Sequence, residues 1–105
     1  MKAKILKNEQ QIHSAYRMIL SAPQIAKTAR PGQFVMVRCA DGCQPLLRRP
    51  LGVHYIKRSN VELLYEVIGE GTRLLAQKKN GECLDVIGPM GNGFDYTLSA
   101  IRYPL

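Results

Sequence analysis

Residues 30–39 read RPGQFVMVRC, and this stretch gives the strongest indication of the fold. Its first four residues are typical of a tight turn, because Pro31 presets φ and Gly32 accepts a positive φ at the next position. The remaining residues, 34–39, are mostly apolar and rich in valine, a composition that favours a β-strand. The stretch therefore predicts a turn that leads directly into a strand.

The segment before this turn, residues 12–21, contains neither glycine nor proline and fits either a helix or a strand. Tyr16, Met18 and Leu20 alternate with the residues between them, which is the two-residue period of a strand. We therefore predict a strand here, followed by a loop or short turn at residues 22–26.

After the turn, residues 61–68 (VELLYEVI) form the second clear strand. The polar turn at 58–60 joins it to the run before it, so the two are predicted to pair as an antiparallel hairpin. Further strands are predicted within residues 4–11, 50–57 and 82–87. The last of these runs is expected to break at Gly88-Pro89.

A single helix is predicted, over residues 73–79, with Thr72 as its N-cap and Asn80-Gly81 as its stop. Two lysines at its C-terminal end suit the helix dipole. Because short strands dominate and no regular alternation of strand and helix occurs, the sequence predicts an all-β protein. A closed or nearly closed antiparallel barrel would also avoid exposed strand edges.

Composition narrows the classes of function. A length of 105 residues suits one domain, and the formal charge of +7 is compatible with an anionic partner. The basic residues are scattered and only 7% of residues are aromatic, so nucleic-acid binding is not favoured. The sequence contains no signal-like apolar segment and no run of membrane-spanning length. We expect a cytoplasmic protein with no membrane contact.

Cysteine and histidine give no sign of a reactive centre. Cys39, Cys43 and Cys83 are an odd number of thiols, and the first two are expected to flank a turn rather than to bind a metal. His13 and His54 are interpreted as ordinary strand residues. No nucleophile–histidine–carboxylate set can be assembled by spacing, so no catalytic residue is predicted.

Two features point to a phosphate-containing ligand. Arg48-Arg49 stands beside the rigid Pro50, and arginine offers a planar charged fork that matches phosphate oxygens. Residues 69–72 (GEGT) place flexible backbone at the predicted helix start, where free N–H groups attract anions. Together these two features suggest a ligand that carries a diphosphate.

Four motifs carry a family resemblance: residues 31–37, 48–53, 65–72 and 81–94. In this order and spacing, the chain resembles the flavin-binding barrel of the ferredoxin reductase superfamily. Among its members, the chain is most similar to the family of electron-transfer subunits of dihydroorotate dehydrogenase B. The resemblance implies a six-stranded antiparallel Greek-key barrel with one short helix, and FAD as its cofactor.

The resemblance also assigns roles to particular positions. Arg49 would contact the pyrophosphate, and the three residues after it would lie along the flavin. A second strand would also contact the flavin, and the helix start would contact phosphate. The implied FAD-binding residues are Arg49, Pro50, Leu51, Gly52, Leu64, Tyr65, Glu66, Gly71 and Thr72. Tyr65 would stack on a ring or bond the ribityl chain.

Three positions, in two of the motifs, depart from the pattern of the resemblance. Many members of the superfamily carry Tyr-Ser where this sequence has Leu51-Gly52, so the backbone N–H of Gly52 would replace a hydroxyl near the flavin. Close relatives often have a basic residue at the position of Glu66.

By the same resemblance, residues 1–94 would form the FAD-binding barrel. Residues 95–105 would be a tail, at the point where a nucleotide-binding domain begins in the family. No glycine-rich phosphate loop of that domain and no cysteine spacing typical of a [2Fe–2S] cluster occur in the sequence. The complete protein would pass electrons between NAD(H) and a catalytic subunit that oxidises dihydroorotate in pyrimidine biosynthesis.

Other interpretations remain open. A similar barrel occurs in reductase subunits of hydrogenase or sulfide-linked systems, and the sequence does not separate them. A small basic β-barrel could instead be a binding module for nucleic acid or protein. The chain could also be a truncated product without independent activity, and self-association is possible.

Overall fold

The computed structural model describes residues 1–40 and 48–92. In chain order its elements are β1 (Lys2–Gln10), β2 (Ala15–Ser21), α1 (Pro23–Ala26), β3 (Phe34–Arg38), β4 (Arg48–Lys57), β5 (Asn60–Glu66), α2 (Glu70–Ala76) and β6 (Cys83–Met90). The predicted loop around Cys43 and the predicted tail at 95–105 lie outside the described residues.

The six strands form a closed barrel in the order β1-β2-β5-β4-β3-β6, and every neighbouring pair is antiparallel. Pairing of β6 with β1 completes the barrel, so each of these strands has a partner on both sides. The predicted all-β Greek-key barrel is confirmed. Among the described residues, no helix is both long and apolar enough to cross a membrane.

The barrel interior follows from strand alternation, because successive side chains of a strand point to opposite faces. Inward positions carry aliphatic side chains that are almost fully buried, and they form one core. Its members from the strands include Ile5, Met18, Leu20, Val35, Val37, Leu51, Val53, Val61, Leu63, Leu84 and Val86.

Two local predictions are confirmed in detail. The Gln33 N–H donates to the Arg30 carbonyl at 3.1 Å, and Gly32 takes a φ of 96°, so residues 30–33 form the expected tight turn. The hairpin of β4 and β5 also forms, with Lys57 opposite Asn60 at its turn.

Four of the differences from the sequence-based expectation have a clear physical reason. β2 begins at Ala15, because the Ala15 N–H donates to the Ile12 carbonyl in a turn. The short turn after Ala22 is a single helical turn, α1, with Pro23 at its first position. β6 does not end at Gly88-Pro89 but continues to Met90. A register shift in its pairing with β3 accommodates these two residues.

The fourth difference concerns α2, which begins at Glu70 and has Gly69 as its N-cap. The prediction of Thr72 as N-cap is wrong, because Thr72 is the third residue of the helix. Its Oγ1 reaches back to accept the Gly69 N–H at 3.2 Å, which is one half of a capping box. The helix ends at Ala76, before the two lysines.

Candidate functional site

A cleft of about 240 Å³ lies between the start of β4, the end of β5 and the first turn of α2. It collects all of the residues implied by the resemblance except Gly52 and Gly71, and adds Gly69 from the glycine motif and Ile68, which the sequence did not indicate. The lining residues are Arg49, Pro50, Leu51, Leu64, Tyr65, Glu66, Ile68, Gly69 and Thr72. The arginine motif (residues 48–53) and the glycine motif (residues 69–72), about twenty residues apart in the sequence, therefore meet in this cleft.

Arg49 and the first turn of α2 are in direct contact. A Cβ placed on Gly71 would lie 3.1 Å from Arg49 Cγ and 3.2 Å from Arg49 Nε. Gly71 is buried, so the arginine side chain packs on bare backbone. Arg49 Nη1 also donates to the Arg48 carbonyl at 2.8 Å. A glycine at this position is what allows the guanidinium to approach the helix so closely.

The hydroxyl of Thr72 is already used within the protein. It accepts the Ile68 N–H at 3.0 Å and the Gly69 N–H at 3.2 Å, and it lies 3.2 Å from the Gly69 carbonyl, to which it can donate. The first N–H groups of any helix lack intrahelical acceptors. In the first turn of α2 these main-chain groups, rather than the Thr72 hydroxyl, are therefore the donors suited to an anion.

Tyr65 forms a wall of the cleft with a buried side chain. Its ring stacks on Tyr16 with centroids 5.6 Å apart, and its hydroxyl donates to Asn8 Oδ1 at 2.6 Å. Burial raises the pKa of Tyr65 above its ordinary range, against the smaller lowering effect of the Asn8 hydrogen bond. The Tyr65 hydroxyl uses its hydrogen on Asn8 and keeps its capacity to accept a hydrogen bond, so a bond to a ribityl chain stays a prediction.

The remaining wall is apolar and partly open to solvent. Leu64 is 41% exposed and Ile68 is 80% exposed, whereas Leu51 is 2% exposed and points its side chain into the barrel core. Gly52 lies opposite Leu64 in the sheet, and no atom of residues 1–40 or 48–92 lies within 4 Å of the place where its Cβ would be. Open space beside exposed leucine suits a flat apolar group.

A second, wider groove of about 510 Å³ adjoins the cleft along β5. The two share Leu64, Tyr65 and Glu66. The far side of the groove carries Arg17, which the sequence did not single out. The cleft and groove together extend beyond the size of a single phosphate.

Beneath the Arg49 contact lies Cys39, whose Sγ would be 3.2 Å from a Cβ on Gly71. Burial raises the pKa of the Cys39 thiol, although the charges of Arg49 and Lys78 act in the opposite direction. Cys39 therefore packs as a neutral thiol. Among residues 1–40 and 48–92, no group of three potential ligands is arranged to hold a metal ion.

Arg48 is directed away from the cleft. Its Nη2 lies 3.0 Å from Asp85 Oδ2, and the Met1 amino group lies 3.4 Å from Asp85 Oδ1. Partial burial acts to raise the pKa of Asp85, but its hydrogen bond to Arg48 and the positive charges nearby outweigh this effect and hold the pKa below its usual value. Of the two consecutive arginines, only Arg49 lines the cleft.

We expect Asp85→Asn to lower the free energy of unfolding at pH 7 by less than about 1 kcal/mol, because the ion pair is partly exposed. The folded-state pKa of Asp85 is depressed, so this contribution is present above the ordinary carboxyl pKa of about 4 and is lost as the pH falls through the folded-state value. Urea denaturation across an acid pH series measures the effect, and the free energies of unfolding of the variant and the unmutated chain should converge as the pH falls. An undiminished difference at the lowest pH would show that Asp85 acts through packing.

Comparison with known proteins agrees with the barrel fold. No family model matches the chain. Curated relatives described as the electron transfer subunit of dihydroorotate dehydrogenase B (NAD(+)) are 43% identical over 98 residues in Desulforamulus reducens and 46% identical over 81 residues in Geobacillus kaustophilus. These matches cover 91% and 75% of this chain, and 37% and 32% of the relatives. The chain thus spans about a third of their length.

Solved structures give the class of fold. An NADH-dependent reduced ferredoxin-NADP oxidoreductase matches with a TM-score of 0.76 and 30% identity, over 89% of this chain and 34% of that one. Ferredoxin-NADP+ reductase from Plasmodium falciparum matches with a TM-score of 0.72 and 12% identity, over 96% of this chain and 41% of that one, which supports the fold alone. The chain has the ferredoxin reductase-type barrel fold.

Within that class the more specific resemblance is also confirmed. The chain is homologous to the electron-transfer subunits of dihydroorotate dehydrogenase B, over the part of those proteins that it spans.

Proposed function

We propose that this chain is the FAD-binding barrel of an electron-transfer subunit, with the cofactor held in the cleft between β4, β5 and α2. The contact of Arg49 with Gly71 is the observation that carries the proposal, because it brings a guanidinium and a helix start to one point. A diphosphate placed there would receive two kinds of hydrogen-bond donor. The absence of a side chain at Gly71 leaves the space that the Arg49 side chain occupies beside the helix start.

The shape of the site supports a position for the rest of the cofactor. The exposed Leu64 and the open space over Gly52 would take the flat flavin ring, and the Gly52 N–H would face its edge. Leu51 would contribute backbone only, since its side chain belongs to the core. Bound FAD would supply the redox chemistry, while the protein would fix its position and exclude water from one face.

The homologues support the proposal that this barrel is part of a larger system. In the complete protein, electrons would pass between NAD(H) and a catalytic dehydrogenase subunit that oxidises dihydroorotate in pyrimidine biosynthesis. We further propose that residues 1–94 form the barrel and that 95–105 lead toward the part of the subunit that handles the nicotinamide cofactor. The iron–sulfur and NAD sites of the family would then lie outside this chain.

The test is titration of the purified chain with FAD, FMN and riboflavin, followed by flavin fluorescence and absorbance. If the diphosphate is the main point of attachment, affinity should fall in the order FAD, FMN, riboflavin. FAD at a hundred times its Kd should also stabilise the fold by about 2.7 kcal/mol and raise Tm. At micromolar protein, no change in flavin absorbance, no fluorescence quenching and no thermal shift on adding FAD would refute the proposal.

A further inference from the structure

Asn8 joins three parts of the fold that are not neighbours in the barrel. Its Nδ2 donates to the Leu75 carbonyl in the last turn of α2 at 2.7 Å, and to the Lys78 carbonyl, two residues after the helix ends, at 2.9 Å. Its Oδ1 accepts the Tyr65 hydroxyl at 2.6 Å. Because β2 separates β1 from β5 in the sheet, this side-chain bridge is a direct link between them.

The hydrogen-bond partners of Asn8 determine the orientation of its side-chain amide. Carbonyl oxygens only accept hydrogen bonds, so the NH₂ group of Asn8 must face Leu75 and Lys78. The oxygen of Asn8 then faces Tyr65, whose hydroxyl must donate. Both hydrogens and the oxygen of the amide are used, and no residue other than asparagine could make all three bonds at this distance without moving the backbone.

α2 depends on such links because it is short. A helix of seven residues is not stable on its own, so its position is set by what it is fastened to. Its start is fastened by the Thr72 hydroxyl to the backbone of Ile68 and Gly69, and its end by Asn8. A Cβ at Gly71 would lie only 3.1 Å from Arg49 Cγ, so the arginine packs closely on the helix and a small shift of α2 would alter its packing.

We propose that Asn8 and Tyr65 are positioning residues that hold α2 where its first turn faces Arg49, and that they thereby set the affinity for the diphosphate-containing cofactor. This inference rests on the proposed function. Asn8 does not line the cleft, and it acts at the opposite end of α2 from the proposed position of the diphosphate. The sequence offered no sign of its role, because asparagine near the end of a strand is commonplace.

The experiment compares Asn8→Ala, Tyr65→Phe and the double variant with the unmutated chain, by FAD titration well below Tm. Each single variant should raise the Kd for FAD about five- to tenfold, which is the usual effect of losing a buried hydrogen bond. The double variant should be no weaker than the more affected single variant, since both remove one bridge. Amide hydrogen exchange should be faster in residues 70–78 and unchanged in β3.

Asn60→Ala is the matched control, because Asn60 is half-buried at the opposite end of β5 from Tyr65. It should leave both the Kd and the exchange of α2 unchanged, whatever its effect on Tm. If Asn8→Ala does not fold, Tyr65→Phe tests the same bridge by removing one oxygen. A Kd within twofold of the unmutated chain in the folded variants would overturn this inference alone. No FAD binding by the unmutated chain would overturn the proposed function as well.

Discussion

Arg49→Ala is expected to weaken FAD binding by about ten- to a hundredfold, since a hydrogen bond to a charged group contributes about 1.5–3 kcal/mol. Arg49 is the cationic side chain that lines the described cleft, and it packs on the helix start. The fold should persist, because Arg49 lies outside the buried core. Fluorescence titration at several salt concentrations measures the effect. Raising salt should weaken binding to the unmutated chain more than binding to the variant.

The adjacent residue, Arg48, supplies the control for Arg49→Ala. Arg48→Ala removes the same charge from the next residue, but Arg48 points to Asp85, so the Kd for FAD should change by less than about twofold. Lys2→Ala, a change at an exposed position on β1, should also leave it unchanged. Arg49→Lys should be intermediate, because lysine keeps the charge and loses the fork. Equal weakening by Arg48→Ala and Arg49→Ala would show that only the overall charge matters.

The barrel was predictable from sequence because its signals are local and repeated. The Pro31-Gly32 turn determines where the chain reverses, and the valine-rich sequence after it indicates strand β3. The start of α2 was less predictable. Thr72 has the chemistry of an N-cap, yet Gly69 takes that position because the Thr72 hydroxyl stabilises the cap from inside the helix. Such reciprocal bonding is a property of the folded loop.

The sequence motifs predicted most of the residues that line the cleft, but not the partners that their side chains contact. The cleft brings Arg49 to the glycine–threonine motif, as the resemblance implied, but Tyr65 shows a limit of this reasoning. Its ring and hydroxyl are committed to Tyr16 and Asn8, which are distant in sequence. Sequence separation gives no hint of such partners, and a motif assigns a position without stating which way its side chain points.

Gly71→Val is expected to lower the free energy of unfolding by about 1–3 kcal/mol and to weaken FAD binding at least about tenfold. The valine Cβ would lie 3.1–3.2 Å from Arg49 and Cys39, so these neighbours would have to move, and the two γ-methyl groups would add further bulk. Gly71→Ala is less decisive, because the gain of about 1 kcal/mol in helix propensity opposes the crowding. Urea denaturation and FAD titration of the same samples measure the two effects.

Gly52→Val separates crowding from the mere loss of a glycine. Gly52 lies in β4 with open space at its Cβ, and valine favours strands, so this variant should be as stable as the unmutated chain or more so. Cys39→Ala combined with Gly71→Val should recover part of the lost stability, since it removes the sulfur from the crowded position. It should not recover FAD affinity, because the Arg49 side chain would still be displaced from the start of α2. Full recovery of affinity would mean that the close packing of Arg49 on Gly71 is not what binds the diphosphate.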